Sequence, residues 1–148
     1  MPTTLPNRIG QILMLMTRNF QQRLDADLAA RGIVGIGQRH RAVFLYLGQN
    51  GASRSVELAE AAGIRPQSMM MIIHELEGLG LIERRPDPRD SRAKLIDFTS
   101  AGQTFIDELT KSTERVWQQY ANVVGNEELT NMFDGLQNLL KDKGNTEL

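Results

Sequence analysis

Residues 51–102 read GASRSVELAEAAGIRPQSMMMIIHELEGLGLIERRPDPRDSRAKLIDFTSAG, and this stretch decides the fold. From Ser55 to Ala62 the small and helix-favouring residues make a compact helix that a neighbour can approach closely. Gly63 supplies the backbone freedom for a tight turn. Pro66 then opens a second helix, where its missing N–H costs nothing and its fixed φ is already helical. Along that helix Met69, Ile72, Ile73 and Leu76 share one face at three- and four-residue steps. After Gly80 the chain turns extended: Leu81 to Arg85 and Ala93 to Phe98 flank Pro86-Asp87-Pro88-Arg89-Asp90-Ser91, a loop of turn formers, and the whole reads as a β-hairpin.

Helix, tight turn, helix and basic hairpin in this order is a winged helix-turn-helix. Working outward, Ile9, Ile12, Met16, Phe20, Leu24 and Leu28 put one apolar stripe on a helix from Asn7 to Arg31, ended by Gly32 and Gly35. A second helix runs from about Gln38 to Gln49 with Val43, Phe44 and Leu47 as core, and Asn50-Gly51 breaks it. Beyond the hairpin, Thr99 or Ser100 caps a helix striped by Phe105, Leu109, Val116, Tyr120 and Val123, with a skip between Leu109 and Val116. Gly125-Asn126 interrupts it. Glu127 and Glu128 then suit the start of a last helix carrying Leu129, Met132, Phe133, Leu136, Leu139 and Leu140, and the polar tail from Lys141 is expected to fray.

The expected fold class is therefore mainly α with a small β-hairpin wing, a winged helix-turn-helix with N- and C-terminal dimerisation helices. One unit spans residues 1–148, with 1–34 and 100–148 as the helical dimerisation region and 36–99 as the winged reading region. The terminal helices carry more apolar stripe than a unit of about 50 residues can cover, and a second copy is the economical cover. The alternative is a monomer whose terminal helices complete its own core.

Composition narrows the class. The chain has 148 residues, 41% hydrophobic and 24% charged, with no cysteine, so a disulfide framework and thiolate metal ligands are excluded. Apolar runs such as Ile12–Met16 and Met69–Ile73 stop at five residues against the roughly 20 that span a bilayer, so no membrane contact is expected. No basic, apolar leader opens the chain, and a cytoplasmic location is expected. The net charge is −1, yet between residues 84 and 94 Arg84, Arg85, Arg89, Arg92 and Lys94 face only Asp87 and Asp90. Positive charge is concentrated at one hairpin. His40 and His74 stand in different helices without metal-ligand spacing, and no phosphate loop or nucleophile elbow occurs, so no enzyme, metal site or cofactor is expected.

The order of helices resembles that of the MarR family of bacterial transcriptional regulators, as do the segments Leu58-Ala59 through Gly63-Ile64-Arg65-Pro66-Gln67-Ser68 and Leu76-Glu77 to Gly80-Leu81-Ile82-Glu83-Arg84-Arg85. The family's wing signature is an Asp, one residue, an Arg, then Leu-Thr before the next helix. Asp90, Arg92 and Thr99 match it, while Phe98 stands where Leu is usual. The resemblance implies a homodimer joined by its terminal helices that binds a palindromic operator in double-stranded DNA and releases it when a small-molecule effector binds between the lobes.

In that setting the helix from Pro66 leaves Gln67, Ser68, Met70, Met71, His74 and Glu75 outward. Gln67 can pair an adenine edge, Ser68 a base or phosphate, and the methionines can cover thymine methyls. Similar regulators place a basic residue where Met71 and Glu75 stand, and this chain departs from them. The alternative is a helix buried all round, which the exposure of Met70 and Met71 decides. Most electrostatic affinity then falls to the wing residues Arg84, Arg85, Arg89, Arg92 and Lys94. Arg89 is the first choice to enter a narrow minor groove, with Arg92 paired to Asp90 to brace the loop, and the reverse assignment stays open. A ligand site is expected where the first helix, the second helix and the helix after the wing converge, with Met16, Phe20, His40, Phe44 and Trp117 as candidates, for an aromatic or amphipathic compound that relieves repression. The rival reading is a winged-helix protein–protein adaptor without DNA binding, suggested by the near-neutral charge.

Overall fold

The computed structural model describes residues 4–142. Its elements are α1 (Leu5–Ala30), α2 (Gln38–Asn50), α3 (Ser55–Ala62), α4 (Pro66–Gly78), β1 (Ile82–Asp87), β2 (Asp90–Phe98), α5 (Ser100–Val124) and α6 (Asn126–Lys141). The fold is thus mainly helical with one antiparallel hairpin. Among the described residues no helix is long and apolar enough to cross a membrane. The part of the polar tail beyond Asp142 lies outside the described residues.

The α3–α4 turn forms as the glycine requires. Gly63 takes φ 66°, ψ 31°, its N–H reaches the Glu60 carbonyl, and the Ile64 N–H reaches the Ala59 carbonyl, each at 3.1 Å. That pair of bonds satisfies the last carbonyls of α3 in a left-handed cap, and only glycine adopts it without strain. Arg65 is extended and Pro66 starts α4, so the two helices are joined by a three-residue corner. Their apolar faces meet α2 and the hairpin in one core built on Phe44, Leu47, Leu58, Met69, Ile73, Leu76 and Ile96. A second cluster, Leu24, Leu28 and Val116, joins α1 to α5.

The hairpin differs from its expected form. Pairing continues through Pro86↔Lys94 to Asp87↔Asp90, with a register shift between Pro86 and Asp87, so the six-residue loop is reduced to a tight turn at Pro88-Arg89. Pro86 is tolerated because β1 is an edge strand. On the other side of β2, Ser53 and Ile96 exchange two backbone hydrogen bonds, N–H to O, at 3.0 and 2.7 Å.

Helix α5 also departs from its stripe. Ser112, at the skip between Leu109 and Val116, is fully buried, and its Oγ accepts a hydrogen bond from Arg31 Nη1 at 2.6 Å. Arg31 also pairs with Glu108. A polar side chain fills the gap because a cation from α1 satisfies it. Val123 is exposed, as are Ile9, Ile12 and Met16 on α1 and Met132, Phe133, Leu136, Leu139 and Leu140 on α6. Within one chain, α5 and the second half of α1 add to the core, while most apolar side chains of α6 and of the first half of α1 stay exposed.

Thr99 caps α5 by accepting the Gly102 N–H at 3.0 Å, and its own hydroxyl donates to the Gly80 carbonyl. Gly102 sits directly against the backbone entering β1: a Cβ there would lie 2.0 Å from the Leu81 carbonyl oxygen. Gly102→Ala is expected to push the hairpin off α5 and to destabilise the protein by about 1–3 kcal/mol in chemical denaturation at fixed protein concentration. An unchanged unfolding midpoint would show that this approach is not tight.

Candidate nucleic-acid interface

Helix α4 buries Met69, Ile72, Ile73 and Leu76. Its opposite face presents Gln67, Met71 and His74, spaced as i, i+4 and i+7, all exposed, with Met71 at 65%. The all-round buried alternative for this helix fails at Met71. Ser68 is half-buried, and Met70, expected to point outward, is half-buried against the core. A triple methionine puts one side chain in, one out and one on the boundary, because successive helical residues turn by about 100°.

Glu75 is exposed but committed, since His40 Nε2 lies 2.6 Å from its Oε2. The Gly37 N–H donates to His40 Nδ1 at 3.0 Å, so Nε2 carries the ring proton and donates to Glu75. This bond ties α2 to α4.

The five wing cations divide into two groups. Arg84 Nε donates to Glu77 Oε1 at 2.7 Å and its Nη2 lies 3.1 Å from His74 Nδ1, so it fastens β1 to α4. Arg85 pairs with Asp97 across the hairpin at 2.9 Å. Their charges are largely answered within the protein. Arg89, Arg92 and Lys94 are exposed, with the Arg92 side chain at 93%. Asp90 accepts the Arg92 N–H at 3.0 Å, while the Arg92 guanidinium stands 3.7 Å away in a loose, solvated pair. An exposed pair of this kind is worth about 0–1 kcal/mol and does not hold a loop.

The brace is Asp87, which sequence reasoning passed over. Its side chain is 5% exposed and accepts the Arg89 N–H at 2.8 Å, Arg54 Nε at 2.9 Å and Arg54 Nη2 at 2.7 Å. The Arg89 N–H, then the Arg54 guanidinium, hold the carboxyl below the usual carboxylate range. The bond to Asp87 correspondingly raises the pKa of Arg54. Arg54 precedes α3, where its own N–H donates to Glu57 Oε2 at 2.8 Å. Arg65 was also overlooked. It is the exposed residue at the start of α4, and among the described residues it has no carboxylate partner. The available signal was Arg65-Pro66, because a residue before an N-terminal proline sits at the helix entrance.

Behind this surface α1, α2 and α5 border an open cavity of about 920 Å³. Phe20, Phe44 and Trp117 line it, together with Gln21, Arg41, Leu109 and Glu114. Met16 and His40 do not. His40 faces α4 instead, and Met16 lies on the uncovered part of α1.

Residues 34–93 match the profile described as the MarR family. A Mycobacterium leprae (strain TN) protein named uncharacterized HTH-type transcriptional regulator ML2140 is 32% identical over 74 residues, covering 50% of this chain and 49% of that protein. The chain spans about half the length of the curated relatives it matches. Among solved structures, transcriptional regulator PA4135 superposes with a TM-score of 0.75 at 24% identity, over 92% of this chain and 98% of that one. CouR from Rhodococcus jostii RHA1, solved bound to p-coumaroyl-CoA, superposes with a TM-score of 0.73 at 22% identity, over 95% and 97%. These likenesses show a shared fold.

A carboxyl depressed in the folded state contributes stability above its unfolded pKa of about 3.9, and that stability is lost as pH falls through the folded value. Asp87→Asn should therefore lower the thermal midpoint at neutral pH and flatten its decline on acidification below about pH 5. Parallel melting profiles for the two proteins would contradict this role.

Proposed function

We propose that this chain, whose residues 34–93 match the MarR family, is a sequence-specific double-stranded DNA-binding transcriptional regulator that acts as a cytoplasmic homodimer. One observation carries the reading: an exposed stripe of Gln67, Met71 and His74 on α4 stands beside a braced hairpin whose tip offers Arg89, Arg92 and Lys94. Gln67 suits an adenine edge and Met71 a thymine methyl, with Ser68 and Met70 at the margins of the contact. Arg65 adds a cation where the positive end of α4 already favours phosphate. At the tip Arg89 or Arg92 enters the minor groove, the Asp87 carboxylate holding the turn for either.

The terminal regions, 1–34 and 100–148, serve dimerisation, and 36–99 serves reading. The exposed apolar faces of α1 and α6 support this, because a second copy would cover both and a two-fold axis would set two α4 helices on one palindromic operator. The chain acts as a repressor, relieved when an aromatic or amphipathic molecule fills the cavity. CouR holds p-coumaroyl-CoA on the same fold. Here α2 lines the cavity with Arg41 and Phe44 and holds α4 through His40, so a ligand that moves α2 moves the reading helix.

Selection of random duplexes followed by sequencing tests the reading. A palindrome should be enriched, and Arg89→Ala or Arg92→Ala should weaken binding to it and lower the salt slope by about 1 each where the arginine meets a phosphate. No enrichment at low salt would favour the protein–protein adaptor instead. Leu136→Asp should shift the sedimentation mass from twice 16.6 kDa toward 16.6 kDa, and a native mass of one chain would contradict the dimer.

A further inference from the structure

The cavity wall holds one basic and one acidic side chain, and the two differ in what they can still bind. Arg41 is engaged: Nη1 donates to Asp25 Oδ1 at 2.7 Å and to the Ile36 carbonyl at 3.1 Å, and Nη2 donates to Gln21. An incoming anion would have to displace Asp25 to reach it. Glu114 is different. Its nearest helical cations are turned elsewhere, Lys111 to Glu108 at 2.9 Å and Arg115 to Asp27 at 3.4 Å. Among the described residues Glu114 has no ion-pair partner, and it lines the open, exposed side of the pocket one turn from Trp117. Phe20 and Trp117 offer accessible ring surface to the same space, while Phe44, buried and packed on Phe98 and Phe105, lies at its floor. Aromatic faces and a carboxylate both attract a cation, and the rings attract a large, weakly hydrated one.

We infer that this cavity selects an amphipathic organic cation, its charged centre beside Glu114 and Trp117 and its apolar body against Phe20, Phe44 and Leu109. The inference rests on reading the cavity as the effector site and gives that site its ligand class. A volume of about 920 Å³ accommodates a compound of several rings. A like-shaped anion would face the Glu114 charge with Arg41 occupied.

The test titrates the full chain with tetraphenylphosphonium and with tetraphenylborate, ions of one shape and opposite charge, and follows the emission of Trp117, the single tryptophan. The cation should bind about tenfold more tightly or better. Glu114→Gln should remove that preference, while Asp107→Asn, exposed on the same helix and outside the wall, should keep it. Equal or tighter binding of the anion would overturn the cation class and leave the effector site standing. A preference that survives in Glu114→Gln would overturn the role of Glu114. No response of Trp117 to either ion would remove the effector site, and the inference with it.

Discussion

The Asp87 carboxylate is the point on which the placement of the hairpin tip beside the exposed stripe of α4 depends. A two-stranded hairpin has little core of its own and is marginal in isolation. Here its turn is held from within by the Arg89 N–H and from outside by Arg54, at the entrance to α3. Arg84 fastens β1 to α4 through Glu77, Ser53 pairs with Ile96 on β2, and Gly102 lets α5 seat against Leu81. The ties reach the segment entering α3, helix α4 and helix α5. These contacts hold the hairpin tip beside the exposed stripe of α4, the arrangement that the proposed reading of two grooves at once would require.

Most of the fold was legible because it rests on local signals. The apolar spacing of α4, the Gly63 turn and the Pro66 start each act within a few residues, and all three appear where the pattern places them. The site was less legible because its decisive contacts are distant in sequence. Asp87 reads as a turn former until Arg54, 33 positions earlier, is seen against it. Arg84 and Arg85 read as free cations until Glu77 and Asp97 are placed beside them. His40 was assigned to the cavity from its helix alone, whereas the face it occupies follows from Glu75 on another helix. Ser112 looked like a defect in a stripe, and only the reach of Arg31 from α1 makes it a core residue.

Charge is deployed in the same economical way. In a chain of net charge −1, internal pairing decides where a local positive surface lies. With Arg31, Arg41, Arg54, Arg84 and Arg85 all answered by carboxylates, the cations of residues 36–99 without a carboxylate partner among the described residues are Arg39 on α2, Arg65, and Arg89 and Lys94 at the hairpin, with Arg92 only loosely paired. The apolar surface is divided likewise: α2, α3 and α4 bury most of theirs, whereas α6 and the first half of α1 leave most of theirs outward.

The central claim is that two copies read one duplex, each with α4 in a major groove and a hairpin tip in the adjoining minor groove. Hydroxyl-radical footprinting of the bound protein on its selected duplex tests this most directly. The account predicts two symmetric sets of protection centred about one helical turn, 10–10.5 base pairs, or a multiple of it apart, with flanking minor-groove protection that disappears when the tip arginines are replaced. A single unsymmetric footprint, or flanking protection indifferent to those replacements, would contradict it.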